Sequence, residues 1–170
     1  MIAIGIDPGT ATLGFGVVAL EANRLRLVDA GVVRTQASGT DAQRLAELET
    51  ALYGLVAEHR PDRMAVERLF FQRNVQTAMA VGQARAVALL VAAHHAIPVD
   101  EPTPNEVKQA VCGNGAADKA QVATMVQRLL SVTLIGVADD ATDALAAAIG
   151  CLYRAAAQPT TARPSVGGAR

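Results

Sequence analysis

The sequence predicts an α/β fold in which a mixed five-stranded sheet is flanked by helices. Three strand-like segments fill the first 35 residues, two short strands then alternate with amphipathic helices, and the last third is helical. The predicted order is βββαβαβααα. A chain of 170 residues can bury a core of its own. We expect one domain over residues 1–157, followed by a disordered tail over residues 158–170 that is rich in Pro, Thr, Gly and Arg.

The predicted strands differ in their hydrophobic pattern. Ile2–Asp7 is almost continuously apolar, which is typical of a central strand covered on both faces. The second and third strands, residues 14–20 and 24–35, are joined by a hairpin at residues 21–23. The two remaining strands are short runs at residues 64–67 and 97–101.

The predicted helices follow from apolar residues at helical spacing. They cover residues 40–59, 74–95, 104–111, 119–130 and 140–157. Thr40 is a plausible N-cap, and Pro61 follows the end of the first helix. The helix over residues 74–95 is apolar on more than one face, so we expect burial on several sides, one of which is a subunit contact. Candidate contact residues recur at helical spacing: Ala80, Ala84, Val87 and Val91.

Composition excludes some classes of protein and leaves nucleic-acid binding open. No uninterrupted apolar run reaches about 18 residues, so we expect no membrane span, and the N-terminus lacks the basic region of a signal peptide. Cys112 and Cys151 lack metal-ligand spacing and are predicted to be free thiols in the cytoplasm. The net charge of −1 argues mildly against a nucleic-acid partner, but residues 68–95 contain three arginines and no acid.

Four carboxylates occupy positions where a strand ends or a helix begins. Asp7 and Glu67 each close an apolar run, and Asp140 and Asp143 open the last helix on one face. Gathered in one cleft, such groups repel one another unless cations lie between them. Oxygen-rich sites of this kind suit Mg²⁺ or Mn²⁺. The pattern therefore predicts metal-assisted phosphoryl chemistry.

Taken singly, each acid has a simpler explanation. The Asp-Pro-Gly sequence that starts at Asp7 is a common turn. Glu67 is equally explained as an ion-pair partner of Arg63 or Arg68. Acids in a first helical turn complement the helix dipole, and Asp139 also shares a face with Asp143.

In combination, the motifs resemble the RuvC family of bacterial Holliday junction resolvases. They are Ile-Asp-Pro-Gly from residue 6, Ala-Val-Glu at residues 65–67, Gly-Gln-Ala-Arg at 82–85, Val-Lys-Gln at 107–109, and Asp-x-x-Asp-Ala-Leu-Ala from residue 140. They stand in the family's order, and the resemblance covers residues 2–157. It implies a ribonuclease-H-like nuclease domain over residues 1–157, a homodimer and a divalent-metal-dependent endonuclease.

The resemblance also implies the site residues. The catalytic and metal-binding residues would be Asp7, Glu67, Asp140 and Asp143. The fixed step to Asp-Ala-Leu-Ala aligns Asp140, rather than Asp139, with the family's acid. These residues would hold two Mg²⁺ ions per active site, with Mn²⁺ able to substitute.

The residues implied to contact DNA comprise two adjacent aromatics and three basic residues. They are Phe70, Phe71, Arg73, Lys108 and Lys119. Phe70 matches the family's aromatic that engages bases near the junction centre, and Phe71 is the adjacent alternative. Without the resemblance, Lys108 and Lys119 would be explained as solvated surface lysines.

The implied reaction is the resolution of four-way DNA junctions by paired symmetric nicks. It would leave 5′-phosphate and 3′-hydroxyl ends and serve homologous recombination and DNA repair, with the RuvA–RuvB branch-migration complex as partner. One alternative is an actin-like ATPase or sugar kinase, but those folds need a second phosphate-binding domain. Another is an inactive ribonuclease-H-like module that binds branched DNA, against which the presence of all four acids argues.

Overall fold

The computed structural model describes residues 1–68 and 75–157, with only the backbone described for residues 75 and 76. It confirms the α/β class and the predicted order of elements. The strands are β1 (Ile2–Asp7), β2 (Thr12–Glu21), β3 (Arg24–Arg34), β4 (Arg63–Val66) and β5 (Val99–Asp100). The helices are α1 (Asp41–His59), α2 (Val75–His94), α3 (Pro104–Cys112), α4 (Lys119–Leu130) and α5 (Asp139–Ala157).

The five strands form one mixed sheet in the order β3-β2-β1-β4-β5. The three N-terminal strands are antiparallel, whereas β4 runs parallel to both β1 and β5. Because β1 and β4 are parallel, their carboxyl ends reach the same edge of the sheet, where α/β proteins commonly bind ligands.

Helices cover both faces of the sheet. Ile4, Ile6 and Val66 pack on the side of α1 and α2, whereas Ala3 and Ala65 pack on the side of α3, α4 and α5. Successive side chains of a strand point to opposite faces. Odd-numbered residues of β1 and β4 therefore face α5.

Most element bounds differ from the predicted ones by one or two residues. Thr40 caps α1 as predicted, because its side chain accepts a hydrogen bond from the backbone N–H of Gln43. The largest relative change is in β5, which was predicted over residues 97–101 and contains two residues, Val99 and Asp100. Pro98 and Pro102 flank it, and prolines lack the N–H that a ladder needs.

Helix α2 corrects the prediction of contact residues. Ala84 and Val91 are fully buried in the core, so they cannot contact a partner, while Ala80 and Val87 are half-buried. The exposed apolar side chains lie on another face, with Met79 at 62% exposure and Leu90 at 50%. A helix that is apolar nearly all round gives no periodicity from which to choose its outward face.

By length and composition alone, residues 77–94 of α2 could also cross a membrane, which the sequence analysis did not anticipate. Two observations show how this helix joins the fold. One face of the helix packs into the core through buried alanines and Val91. Arg85, in the middle of the helix, forms an ion pair with Glu101 beyond β5.

Candidate active site

Asp7 and Glu67 are brought together by the pairing of β1 with β4. Ile6 lies opposite Val66 in the parallel ladder, so Asp7 and Glu67 are the next residues along two adjacent chains. Asp7 is an odd-numbered residue of β1, like Ala3, and therefore faces α5; Glu67 continues the same alternation from Ala65. The two carboxylates thus share one edge and one face of the sheet.

Helix α5 carries Asp140 and Asp143 in its first two turns and crosses the sheet diagonally. Its start lies against Gly14 of β2, its middle against Gly5 of β1, and its end reaches β5, where Cys151 donates a hydrogen bond to Asp100 at 2.7 Å. This path places the N-terminal turns of α5 beside the edge that holds Asp7.

The electrostatics of Asp7 show that four carboxylates lie near one another at this edge of the sheet. The pKa of Asp7 is raised to about 7, first by burial and then by the negative charges of Asp143, Glu67 and Asp140, in that order. Burial also raises the pKa of Glu67, with Asp143 as the next cause. Like charges facing one another favour the neutral form.

The structure separates Asp140 from its neighbour Asp139. The charge of Asp140 raises the pKa of Asp7, and its backbone lies against Gly14. Asp139 is exposed, and its charge acts on Lys119. On this geometry, Asp140 belongs to the cluster of four carboxylates, which we call the acid cluster, and Asp139 lies at its rim.

Lys119 supplies positive charge at the cluster from the first residue of α4. Its ammonium group lies 3.0 Å from Asp143 Oδ2, and this hydrogen bond raises the pKa of Lys119. Lys119 lowers the pKa of both Asp7 and Glu67, whereas Lys108 of α3 lowers that of Glu67. Both lysines therefore lie near the carboxylates.

Glu67 is not occupied by the ion pairs that offered a simpler explanation for it. Arg63 binds Asp100 instead, at 3.2 and 3.3 Å. Among the described residues, Arg68 forms no ion pair with Glu67.

The two cysteines are free thiols. Burial raises the pKa of Cys151 to about 12, which keeps this thiol protonated.

The donor set fits a hard divalent cation, although it is not preassembled. Within residues 1–68 and 75–157, no three acidic, histidine or cysteine side chains are already gathered as a metal-binding group. The coupling of their charges nevertheless shows that the four carboxylates are neighbours. The fold makes the four carboxylates neighbours, and repulsion between like charges opposes their closer approach without a cation. Carboxylate oxygens are the ligands that Mg²⁺ and Mn²⁺ prefer.

Part of the predicted DNA-binding set cannot be placed. Phe70, Phe71 and Arg73 lie outside the described residues, as do the predicted helix start at residue 74 and the tail over residues 158–170. The prediction for these residues stays a prediction. Arg68, the last described residue before this region, directly follows Glu67.

Sequence reasoning missed the glycines that let α5 lie on the sheet. Gly5, Gly14 and Gly16 face this helix, and a Cβ on any of them would collide with its backbone. Glycine inside a strand often marks the close approach of another backbone. Three such glycines in β1 and β2 were the signal that could have located the helix.

Comparison with known proteins agrees with this geometry. The model of the family "Crossover junction endodeoxyribonuclease RuvC" matches residues 3–151. RuvC of Chloroflexus aurantiacus is 50% identical over 155 residues, covering 91% of this chain and 94% of that protein. RuvC of Heliobacterium modesticaldum is 49% identical over 153 residues, covering 90% and 94%.

The structural comparison gives the same family. Thermus thermophilus RuvC, solved in complex with a Holliday junction substrate, superimposes with a TM-score of 0.86 at 35% identity, covering 91% of this chain and 94% of that one. The fold is therefore ribonuclease-H-like, as the resemblance implied. With the family model spanning most of its length, the chain belongs to the RuvC family of crossover junction endodeoxyribonucleases.

Proposed function

We propose that this chain resolves four-way DNA junctions as a metal-dependent endonuclease acting in homologous recombination and DNA repair. The observation that carries the proposal is the convergence on Asp7 of the charges of Glu67, Asp140 and Asp143. Two acids at the edge of the sheet and two at the start of α5 are well suited to hold cations against a phosphodiester. Family membership and the junction-bound relative support the choice of substrate.

In this proposal the four carboxylates would hold two Mg²⁺ ions, for which Mn²⁺ can substitute. When bound, such ions lower the pKa of an attacking water and neutralise charge on the leaving oxygen. Asp7, whose pKa responds to the other three acids, would be a ligand shared by both ions. Glu67 would help to hold one ion, and Asp140 with Asp143 the other. Hydrolysis leaves a 5′-phosphate and a 3′-hydroxyl.

The residues around the acids orient the DNA. Lys119 and Lys108 lie close enough to the carboxylates for their charges to act on them, so each can bind phosphate oxygens beside the scissile bond. Phe70 or Phe71 would stack on unpaired bases at the junction centre, and Arg73 would bind backbone phosphate.

Paired symmetric nicks need two active sites related by a two-fold axis, so we propose a homodimer. Helix α2 offers the contact through its exposed apolar side chains, which recur at heptad-like spacing and which we call the α2 stripe. The stripe consists of Met79, Ala86, Leu90 and Ala93. A branch-migration complex of the RuvA–RuvB type is the expected partner, in the cytoplasm.

The test is cleavage of a synthetic four-way junction beside a linear duplex of matched sequence, with Mg²⁺, Mn²⁺ or EDTA. Symmetric, metal-dependent cutting of the junction alone is expected. Asp7→Asn, Glu67→Gln and Asp143→Asn should each abolish cutting while retaining junction binding in a gel shift. Glu58→Gln, an exposed acid on α1, is the matched control and should cut normally.

Three other outcomes would change the assignment. Near wild-type cutting by Asp7→Asn would contradict the proposed site. Junction binding without cutting in any metal would favour a binding module. A fully active Asp140→Asn beside an inactive Asp139→Asn would move the fourth ligand by one residue.

A further inference from the structure

Gly14 lies between the two parts of the acid cluster, which are the sheet acids Asp7 and Glu67 and the helix acids Asp140 and Asp143. In the antiparallel ladder of β1 and β2 it is the residue directly opposite Asp7. On the face toward α5 it touches the first turn of that helix: a Cβ built on Gly14 would collide with the carbonyl oxygen of Asp140 and lie 2.9 Å from the Asp140 Cβ. One residue therefore contacts both a sheet acid and a helix acid.

The close approach of Gly14 to Asp140 could not be relieved by the movement of a flexible side chain. The atoms that a Gly14 methyl group would meet are the backbone and Cβ of Asp140, not the flexible end of a long residue. The backbone of Gly14 is not in the left-handed region, so alanine could adopt its conformation. The requirement for glycine at this position is steric and comes from Asp140.

The other two glycines on this face act further from the acids. Gly5 faces the backbone of Ala144 and Ala148, and a Cβ on Gly16 would lie 2.7 Å from the Leu145 nitrogen. Together with Gly14 they hold α5 against β1 and β2 at backbone contact. Only Gly14 makes this contact at a residue that carries one of the four carboxylates.

We propose that Gly14 is a positioning residue that sets the separation between Asp7 and Asp140, and thereby the affinity of the site for divalent cations. This inference rests on the proposed function, because it assumes that these carboxylates hold metal. A methyl group at position 14 would lift the start of α5 from the sheet. Asp140 would move away, while Asp7, which pairs in the sheet, and Glu67, which directly follows β4, would stay in place.

The test is Gly14→Ala, with metal affinity measured by calorimetric titration of Mn²⁺ and of Mg²⁺ into the DNA-free protein. Losing a group that orients metal ligands typically weakens binding about 10–100-fold, and we expect a change of that order. The Mg²⁺ concentration for half-maximal junction cutting should rise by a similar factor. Junction binding in EDTA should stay within about twofold of wild type, since a positioning defect acts on metal and not on DNA.

Gly31→Ala is the matched control. Gly31 is a strand glycine of the same sheet, but its Cβ would meet the Phe15 ring at 3.0 Å and not α5. It should lower the melting temperature without changing metal affinity. If Gly14→Ala loses stability as Gly31→Ala does and binds metal as tightly as wild type, the inference is overturned.

A second variant covers the case in which Gly14→Ala does not fold. Asp140→Glu lengthens the side chain while the contact with Gly14 holds its backbone in place, so the carboxylate should overshoot and metal affinity should fall by about tenfold or more. Wild-type affinity in Asp140→Glu would overturn the inference. Where Gly14→Ala folds, adding Asp140→Glu should restore part of the lost affinity. A wild-type protein that binds no metal would instead refute the proposed function itself.

Discussion

At the scale of single residues, Asp7 makes the stability of the metal-free protein depend on pH. Its pKa is about 7 in the folded chain, because of burial and of three neighbouring acids, against about 3.9 in an unfolded chain. Between these values the folded state binds a proton that the unfolded state releases. The free energy of unfolding therefore falls as pH rises from about 4 to about 7 and then levels off.

This sign predicts the behaviour of Asp7→Asn in EDTA. The variant lacks the titrating group, so it should melt higher than wild type at pH 8, by an amount on the order of 3 kcal/mol in unfolding free energy. At pH 4.5 the difference should nearly vanish, since wild-type Asp7 is then protonated. Thermal melts across this range measure both values, and Mg²⁺ should narrow the gap at pH 8 by stabilising wild type.

Two comparisons make the result interpretable. Glu58→Gln should show no pH-dependent gain of this kind, because Glu58 is exposed on the other side of the sheet. An Asp7→Asn protein that melts below wild type at pH 8 in EDTA would show that the carboxylates do not crowd one another.

The positive charge of Lys119 opposes the rise in pKa that the acids cause in one another. Removing this charge should change the pH dependence of the cutting rate. Lys119 lowers the pKa of Asp7 and of Glu67, whereas Lys108 has this effect on Glu67 alone. Lys119→Met should therefore move the rise of cutting rate to higher pH, and Lys119→Arg should not. Lys108→Met should shift the profile less.

The stability of Lys119→Met separates this effect from misfolding. Its ion pair with Asp143 is formed by a side chain that is 77% exposed, and exposed pairs contribute little to stability. The melting temperature should therefore stay near that of wild type. A profile identical to wild type would show that Lys119 does not tune the acids.

At the scale of secondary-structure elements, local patterns predicted what local physics decides. β1 and α4 have the predicted bounds, because a continuous apolar run and a well-capped amphipathic helix each specify an element by themselves. Strand ends and helix starts are readable from sequence, so the positions of the four carboxylates on the elements were predictable, whereas their shared role was implied by the family resemblance. The diagonal path of α5 was not, since it depends on three glycines that are far from it in sequence.

Gly54 shows the opposite use of glycine from Gly14. It lies in the middle of α1 on the exposed side, and a Cβ there would meet nothing within 4 Å. Glycine inside a helix is less favourable than alanine by about 0.5–1 kcal/mol. Gly54→Ala should thus raise the melting temperature by about 2–4 °C and leave junction cutting unchanged. A lower melting temperature would mean that Gly54 has a contact outside the monomer.

At the scale of the whole molecule, the site and the α2 stripe lie on different parts of the same domain. Asp7 and Glu67 project toward α5, whereas α2 packs on the opposite face of the sheet. A two-fold contact through α2 would leave the face with the acids open. Each protomer could then present its acids to one of two symmetric strands of a junction.

The proposed homodimer can be disrupted by a charge on α2. Leu90→Glu places a charge in the centre of the α2 stripe, on a side chain that is 50% exposed in the monomer, so the fold should tolerate it while self-association fails. Sedimentation should show monomers, and a plasmid with an extruded cruciform should be nicked rather than linearised. Ile135→Glu, at an 89% exposed residue outside the stripe, should remain dimeric. A wild-type monomer at micromolar concentration, or a dimeric Leu90→Glu, would show that α2 does not form the interface.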